Sequence, residues 1–196
     1  MADNLALRTG TQGSSFTLAT DDVGGFHYQR VRSAPDRQKF TITPVISTGI
    51  YVSGDCLGPL QTIASASSAA GLGGYIESIV VVDKTQAQRA AFDIVLYSAT
   101  VTTAADNAPF QMSDADALNV VGIISVIAAD YNTAWPGTPL NSIAFKPDTK
   151  VASNDPRMRI PYTCASTSLF VQLVVRGTPT YTSTSDIVVT FNCVLD

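Results

Sequence analysis

His27 is the single histidine of the chain, and it stands in Phe26-His27-Tyr28-Gln29-Arg30-Val31-Arg32, directly after Asp21-Asp22-Val23-Gly24-Gly25. Acid–base chemistry of the Ser-His-Asp or Cys-His kind would have to use this one imidazole. Its bulky, strand-forming neighbours make it an exposed or interfacial strand residue rather than a base held in a cleft. No G-x-S-x-G turn occurs to carry a nucleophilic serine. A glycosidase needs a pair of carboxyls, one of them kept protonated. Glu77 is the only glutamate, and most aspartates fall in loop-like stretches. Asp93 lies in a strand-like run, where facing solvent or pairing with an arginine is expected, with Arg89 near in sequence.

Asp106, Asp114 and Asp116 suggest calcium, but the D-x-[DN]-x-[DN]-G spacing of a calcium loop is absent. Asp114 and Asp116 read better as acids at the start of a helix, where they complement its dipole. Gly71-Leu72-Gly73-Gly74 is followed by no lysine and leads into a strand, so it is not a phosphate loop. The cysteines Cys56, Cys164 and Cys193 have neither an even count nor a CxxC spacing, and buried thiols are expected. No enzyme, cofactor or metal site is therefore expected. Trp135, before Pro136-Gly137, reads either as a binding anchor or as a lid over one end of the fold.

The elements that must position these residues are strands. Hydrophobic residues make up 45% of the 196 and charged residues 14%. Charged content in a globular protein is nearer ~25%, so much of the surface is polar but uncharged, or is buried against other subunits. The acids are fifteen Asp to one Glu, and Lys occurs only at 39, 84, 146 and 150. A chain this poor in the straight-chain helix formers, and rich in Val, Ile and Thr, has few helices. A net charge of −4 without a basic block disfavours nucleic acid. No signal peptide is read at Met1-Ala2-Asp3-Asn4, and no apolar run approaches the ~20 residues that span a bilayer. Synthesis in the cytoplasm without a membrane partner is expected.

Residues 1–25 read as an extended N-terminal arm, and 26–196 as one domain. Its expected strands are Phe26 to Ser33, Phe40 to Ile46 (an edge or irregular strand at best, because Pro44 breaks it), Gly49 to Ser53, Leu57 to Ile63, Gly74 to Asp83, Ala90 to Ala99, Asn141 to Lys146, Met158 to Cys164, Leu169 to Arg176 and Asp186 to Leu195. Ala64 to Gly74 reads as a mobile loop or one threaded against another surface. Phe92-Asp93-Ile94-Val95-Leu96-Tyr97 alternates as a half-buried strand. Ser113-Asp114-Ala115-Asp116 opens one short helix with a capping box, and β-branched residues follow from Val120. Many short strands, varied loops, one small helix and no 20–50-residue repeat point to an all-β jelly-roll β-sandwich.

Several blocks resemble one family. Asp21 to Arg32 (D-D-V-G-G-F-H-Y-Q-R-V-R) is similar to the opening of the capsid decoration, or cement, proteins of tailed bacteriophages. Tyr51 to Gly58 with Leu60 to Ile63, Gly74 to Ala99, and Asp106 to Gly122 resemble the blocks that follow. The matching blocks cover roughly Asp21 to Val126. The three cysteines and the Ser33 to Lys39 loop depart from the pattern. The resemblance implies a homotrimeric jelly-roll protein on the outer surface of the virion, bridging neighbouring major capsid proteins. Asp21, Asp22, Phe26, His27, Tyr28, Arg30, Arg32 and Trp135 are then the expected partner-binding residues. The alternative is a receptor- or glycan-binding module of a phage head or tail fibre, with an aromatic-lined pocket near Trp135 or Tyr97.

Overall fold

A computed structural model describes residues 36–85, 89–132, 142–146 and 160–195, together with the backbone of four short strands among the first 35 residues. Those four form two hairpins. β1 (Leu5–Arg8) pairs antiparallel with β2 (Ser15–Leu18), and β3 (Thr20–Val23) with β4 (Phe26–Gln29). Compact units divide between Pro35 and Asp36, whereas the sequence reading starts the sandwich at Phe26. Phe26–Gln29 instead takes its partner from residues 20–23, across Gly24-Gly25. A glycine pair between strands is a strong local hairpin signal, and closing two residues costs less loop entropy than a distant pairing.

The second unit begins at β5 (Asp36–Ile42) and continues through β6 (Gln61–Ile63), β7 (Gly73–Asp83), β8 (Phe92–Tyr97), β9 (Val120–Val126), β10 (Ser142–Lys146), β11 (Ile160–Thr163), β12 (Leu169–Val175) and β13 (Ile187–Leu195). One sheet has the order β10-β7-β13-β5, with β11 also on β7, and the other β6-β12-β8-β9. Every pairing is antiparallel. With β10 and β11 taken as one position, the two orders are first-eighth-third-sixth and second-seventh-fourth-fifth. Those are the two interlocked Greek keys of a jelly roll.

Alternation explains which faces meet. Ile187, Val189 and Phe191 of β13 point into the core with Ile76, Ile79 and Val81 of β7, opposite Ile94, Leu96, Val171 and Leu173 of the second sheet. β8 departs from the half-buried expectation: all six of its residues are buried. Its outward Val95 and Tyr97 join Val174 in a second cluster, over which Leu60, Val101, Phe110, Val120 and Phe170 pack. Part of the β8–β9 connection thus roofs the second sheet. Buried on both faces, β8 reads as a nearly continuous apolar run.

Other differences have local causes. Gly49 to Ser53 forms no strand and contributes only an isolated bridge, Ile50 to Thr180. Leu57 to Ile63 shortens to β6, because Gly58 sits at φ +78° and Pro59 has no N–H. The loop Ala64 to Gly74, expected to be mobile or threaded against another surface, is held against its own chain. Ala66 and Ser67 are buried, the Tyr162 hydroxyl donates to the Ala66 carbonyl at 2.8 Å, and the Ser67 hydroxyl donates to Ala69 O at 2.9 Å. The helix is as expected: α1 (Asp114–Ala117) is capped by Ser113, whose Oγ accepts from the Asp116 N–H at 3.1 Å.

Gly74 shows where packing demands a missing side chain. A Cβ there would run into the carbonyl oxygen of Val194, and one on Gly73 into that of Tyr162. Both carbonyls belong to backbone that pairs with β7, so neither can rotate away. Gly74→Ala is expected to destabilise the sandwich by about 3 kcal/mol, read as a lower midpoint in urea with the slope unchanged. A midpoint within error of the parent would contradict this packing.

Candidate interaction site

The expected partner-binding residues divide by location. Asp21 pairs in register with Tyr28, Asp22 with His27 and Val23 with Phe26, so five of them sit on one two-stranded ribbon. Asp22 and His27 are cross-strand neighbours, and so are Asp21 and Tyr28. Arg30, Arg32 and Trp135 lie outside the described residues. Tyr97, suggested for an aromatic pocket, is buried instead, and its hydroxyl points to the Met112 sulfur at 3.7 Å.

The sandwich offers two outward surfaces. On the second sheet, a groove of about 240 Å³ lies among Asp93, Val95, Phe110, Met112, Ile123 and Arg176. Asp93 does pair with an arginine, but with Arg176 rather than Arg89. The Ser125 hydroxyl donates to its other oxygen at 2.8 Å. The carboxylate side chain is only 7% exposed while the guanidinium is 62% exposed, so the pair is a charged lip on an apolar floor. Register places them: β12 runs beside β8, and Val174 lies opposite Asp93. On the first sheet, a shallow polar groove of about 340 Å³ is lined by Arg37, Lys39, Glu77, Ser78 and Asn192. Arg37 reaches Glu77 at 3.3 Å, and the Asn192 amide donates to the Ser78 hydroxyl at 2.9 Å.

The acids that suggested calcium or catalysis have structural work. Asp106 Oδ1 accepts from the Tyr51 hydroxyl at 2.7 Å and the Gly58 N–H at 2.6 Å. Its Oδ2 accepts from the Ser47 N–H at 2.7 Å and from the Ser47 hydroxyl. Burial, and then the Asp106 carboxylate, push the Tyr51 phenol above its ordinary range. Asp116 bonds to Ser113 at the helix start. All three cysteines are free and buried, and burial pushes the thiols of Cys56 and Cys193 up to about 11, which leaves them unreactive at neutral pH.

Asp83 is a different case. It is fully buried at the end of β7. Its Oδ1 accepts from the Thr85 N–H at 2.9 Å and from the Thr85 hydroxyl, and its Oδ2 from the Ala90 N–H at 3.3 Å. Burial raises its pKa, the three hydrogen bonds oppose the rise, and the nearby Asp186 carboxylate adds to it. The folded protein therefore holds this proton more tightly than an unfolded chain with a pKa of 3.8. Its contribution to stability is full below 3.8 and falls as pH rises through the folded-state value. Denaturant unfolding of the parent and Asp83→Asn across a pH series is expected to show the parent losing stability relative to the variant as pH rises from 3.8 to the folded-state value, and no further change above it. A difference independent of pH would contradict the shift.

No signal in the sequence separates the Asp106 node or the Arg176–Asp93 lip from ordinary loop and strand residues. Their partners lie 48 to 59 and 83 positions away. No family model matches the chain, and no curated protein matches it. A solved structure titled Desmodium yellow mottle tymovirus is similar to it at 11% identity, over 98% of this chain and 93% of that one, with a TM-score of 0.28. At that score the likeness carries no argument, and the fold rests on the strand order.

Proposed function

We propose that this chain is a non-catalytic virion structural protein of a tailed phage. It decorates the outer surface of the head as a homotrimer and stabilises it by bridging neighbouring major capsid proteins. One observation carries the reading. The chain divides into an eight-position jelly roll and a separate two-hairpin unit, and the second hairpin holds Asp21-Asp22-Val23-Gly24-Gly25-Phe26-His27-Tyr28. With these residues the likeness to decoration proteins begins. A jelly roll alone does not fix a function, so the class comes from the blocks between Asp21 and Val126.

The physical logic is adhesion by shape. With 14% charged residues and a net charge of −4, binding rests on apolar contact and backbone pairing more than on charge. Many copies on one shell multiply a modest single-site affinity. Cosedimentation with purified heads tests it: saturable binding with a fixed copy number per head is expected. Protein that stays in the supernatant at every concentration, while binding a glycan array, would replace this reading with the receptor-binding one.

A further inference from the structure

We infer that one end of the sandwich holds an internal water molecule, which accepts from the Tyr181 hydroxyl and donates to the Asp83 carboxyl. Three tyrosines close this end, Tyr51, Tyr131 and Tyr181, each at most 2% exposed. Tyr51 and Tyr181 meet edge to face, with ring centroids 5.7 Å apart. The Tyr51 hydroxyl donates to Asp106 at 2.7 Å, and the Tyr131 hydroxyl to the Ala90 carbonyl at 3.0 Å. The Tyr181 hydroxyl has no hydrogen-bond partner. Among the described residues, the other buried polar side-chain atom without one is Gln172 Oε1. That amide already donates to Gly58 O and Leu173 O, both at 3.0 Å. A buried acceptor left idle is commoner than an idle donor, so Tyr181 marks the site.

Asp83 is the group set nearest to it. Inward alternation along β7 continues from Ile79 and Val81 to Asp83, which lies in register between Ser142 and Ile187. Its carboxyl and the Tyr131 hydroxyl meet at one residue: Oδ2 takes the Ala90 N–H at 3.3 Å, and Tyr131 takes the Ala90 carbonyl. Tyr181 enters from the connection between β12 and β13, where the Thr182 and Ser183 N–H groups donate to Asp186 Oδ2 at 3.1 and 2.8 Å. Burial raises the Tyr181 phenol most, and of the groups around it Asp83 adds most, ahead of Tyr131, Tyr51 and Asp186. Tyr181 and Asp83 nevertheless make no direct bond, although both have capacity. The phenol hydrogen is unspent, and Oδ2 holds only the long bond to Ala90 while Oδ1 takes two. Globular proteins hold about one buried water per 27 residues, placed on polar groups that would otherwise go unpaired. Here it ties the β12–β13 connection to the end of β7. The site needs neither a shell nor a second copy, so it stands or falls apart from the proposed function.

A high-resolution crystal structure of the full chain should show a water within hydrogen-bond distance of both Tyr181 Oη and Asp83 Oδ2. Urea unfolding reads the same bridge in solution. Tyr181→Phe keeps the ring and should raise the unfolding equilibrium constant about 5-fold at neutral pH, because a water-mediated bond is lost. A hydroxyl buried with no partner at all would give the opposite sign, a variant more stable than the parent, and would overturn the inference. The water also favours the ionised form of Asp83. Its loss should therefore carry the Asp83-dependent fall in stability to higher pH in Tyr181→Phe than in the parent. A fall that ends at the same pH in both, or density showing an empty site, a cation or a direct Tyr181–Asp83 bond, would equally overturn it.

Discussion

Asp106→Ala is expected to cost the sandwich about 4 kcal/mol. The carboxylate gathers four donors from three places in the chain: the Ser47 N–H and hydroxyl, the Tyr51 hydroxyl and the Gly58 N–H. Ser47 lies in the segment that follows β5, and Gly58 in the segment that precedes β6. Removing the acceptor leaves part-buried donors without partners, at about 1–3 kcal/mol for each that water cannot reach. Asp106→Asn keeps one acceptor oxygen and should lose about half as much. For a domain of this size the alanine variant should melt about 10 °C lower. Calorimetry on the parent and both variants checks the order. Equal melting of Asn and Ala would mean that the carboxylate acts through charge or space, not through this set of bonds.

The second large effect concerns residues 1–35. Removing them should leave the sandwich folded, because Ile42 to Cys193 of the second unit build a core among themselves. The melting temperature should move by only a few degrees. Binding to heads should fall below detection, at least ~100-fold, if the second hairpin holds the shell. Alanine at both Phe26 and Tyr28 in the full chain should reproduce most of that loss, since aromatic anchors dominate contact energies. A truncated protein that still saturates heads would move the binding to the sandwich. A truncated protein that fails to fold would mean that the first unit is part of the core.

How far the sequence could be read depends on the reach of each signal. Capping at Ser113 and the edge position of the strand that Pro44 interrupts are local signals, and the structure repeats them. The jelly roll was legible as a class because the strands are short, the connections varied and the helix alone. Its pairing order was not, since β13 pairs with β7 and β5 across more than a hundred residues. Burial of Val95 and Tyr97 was hidden for the same reason: their roof comes partly from Val101 and Phe110, on a loop no periodicity describes. The hairpin β3–β4 was half legible. Gly24-Gly25 marks the turn, but the polar Asp21-Asp22 gives no sign of a strand to pair with Phe26. Of the expected contact residues, the cluster at 21–28 shares one ribbon. The Asp106 node went unread because its four donors meet only in the folded chain.

Adhesion to a shell is the central claim, and electron cryomicroscopy of virions that carry this protein tests it most directly. The account predicts density outside the shell into which the jelly roll fits, seated where neighbouring major capsid subunits meet, with the Asp21–Tyr28 hairpin against the capsid. Bare heads, or sandwich density found only on a tail or fibre, would contradict it.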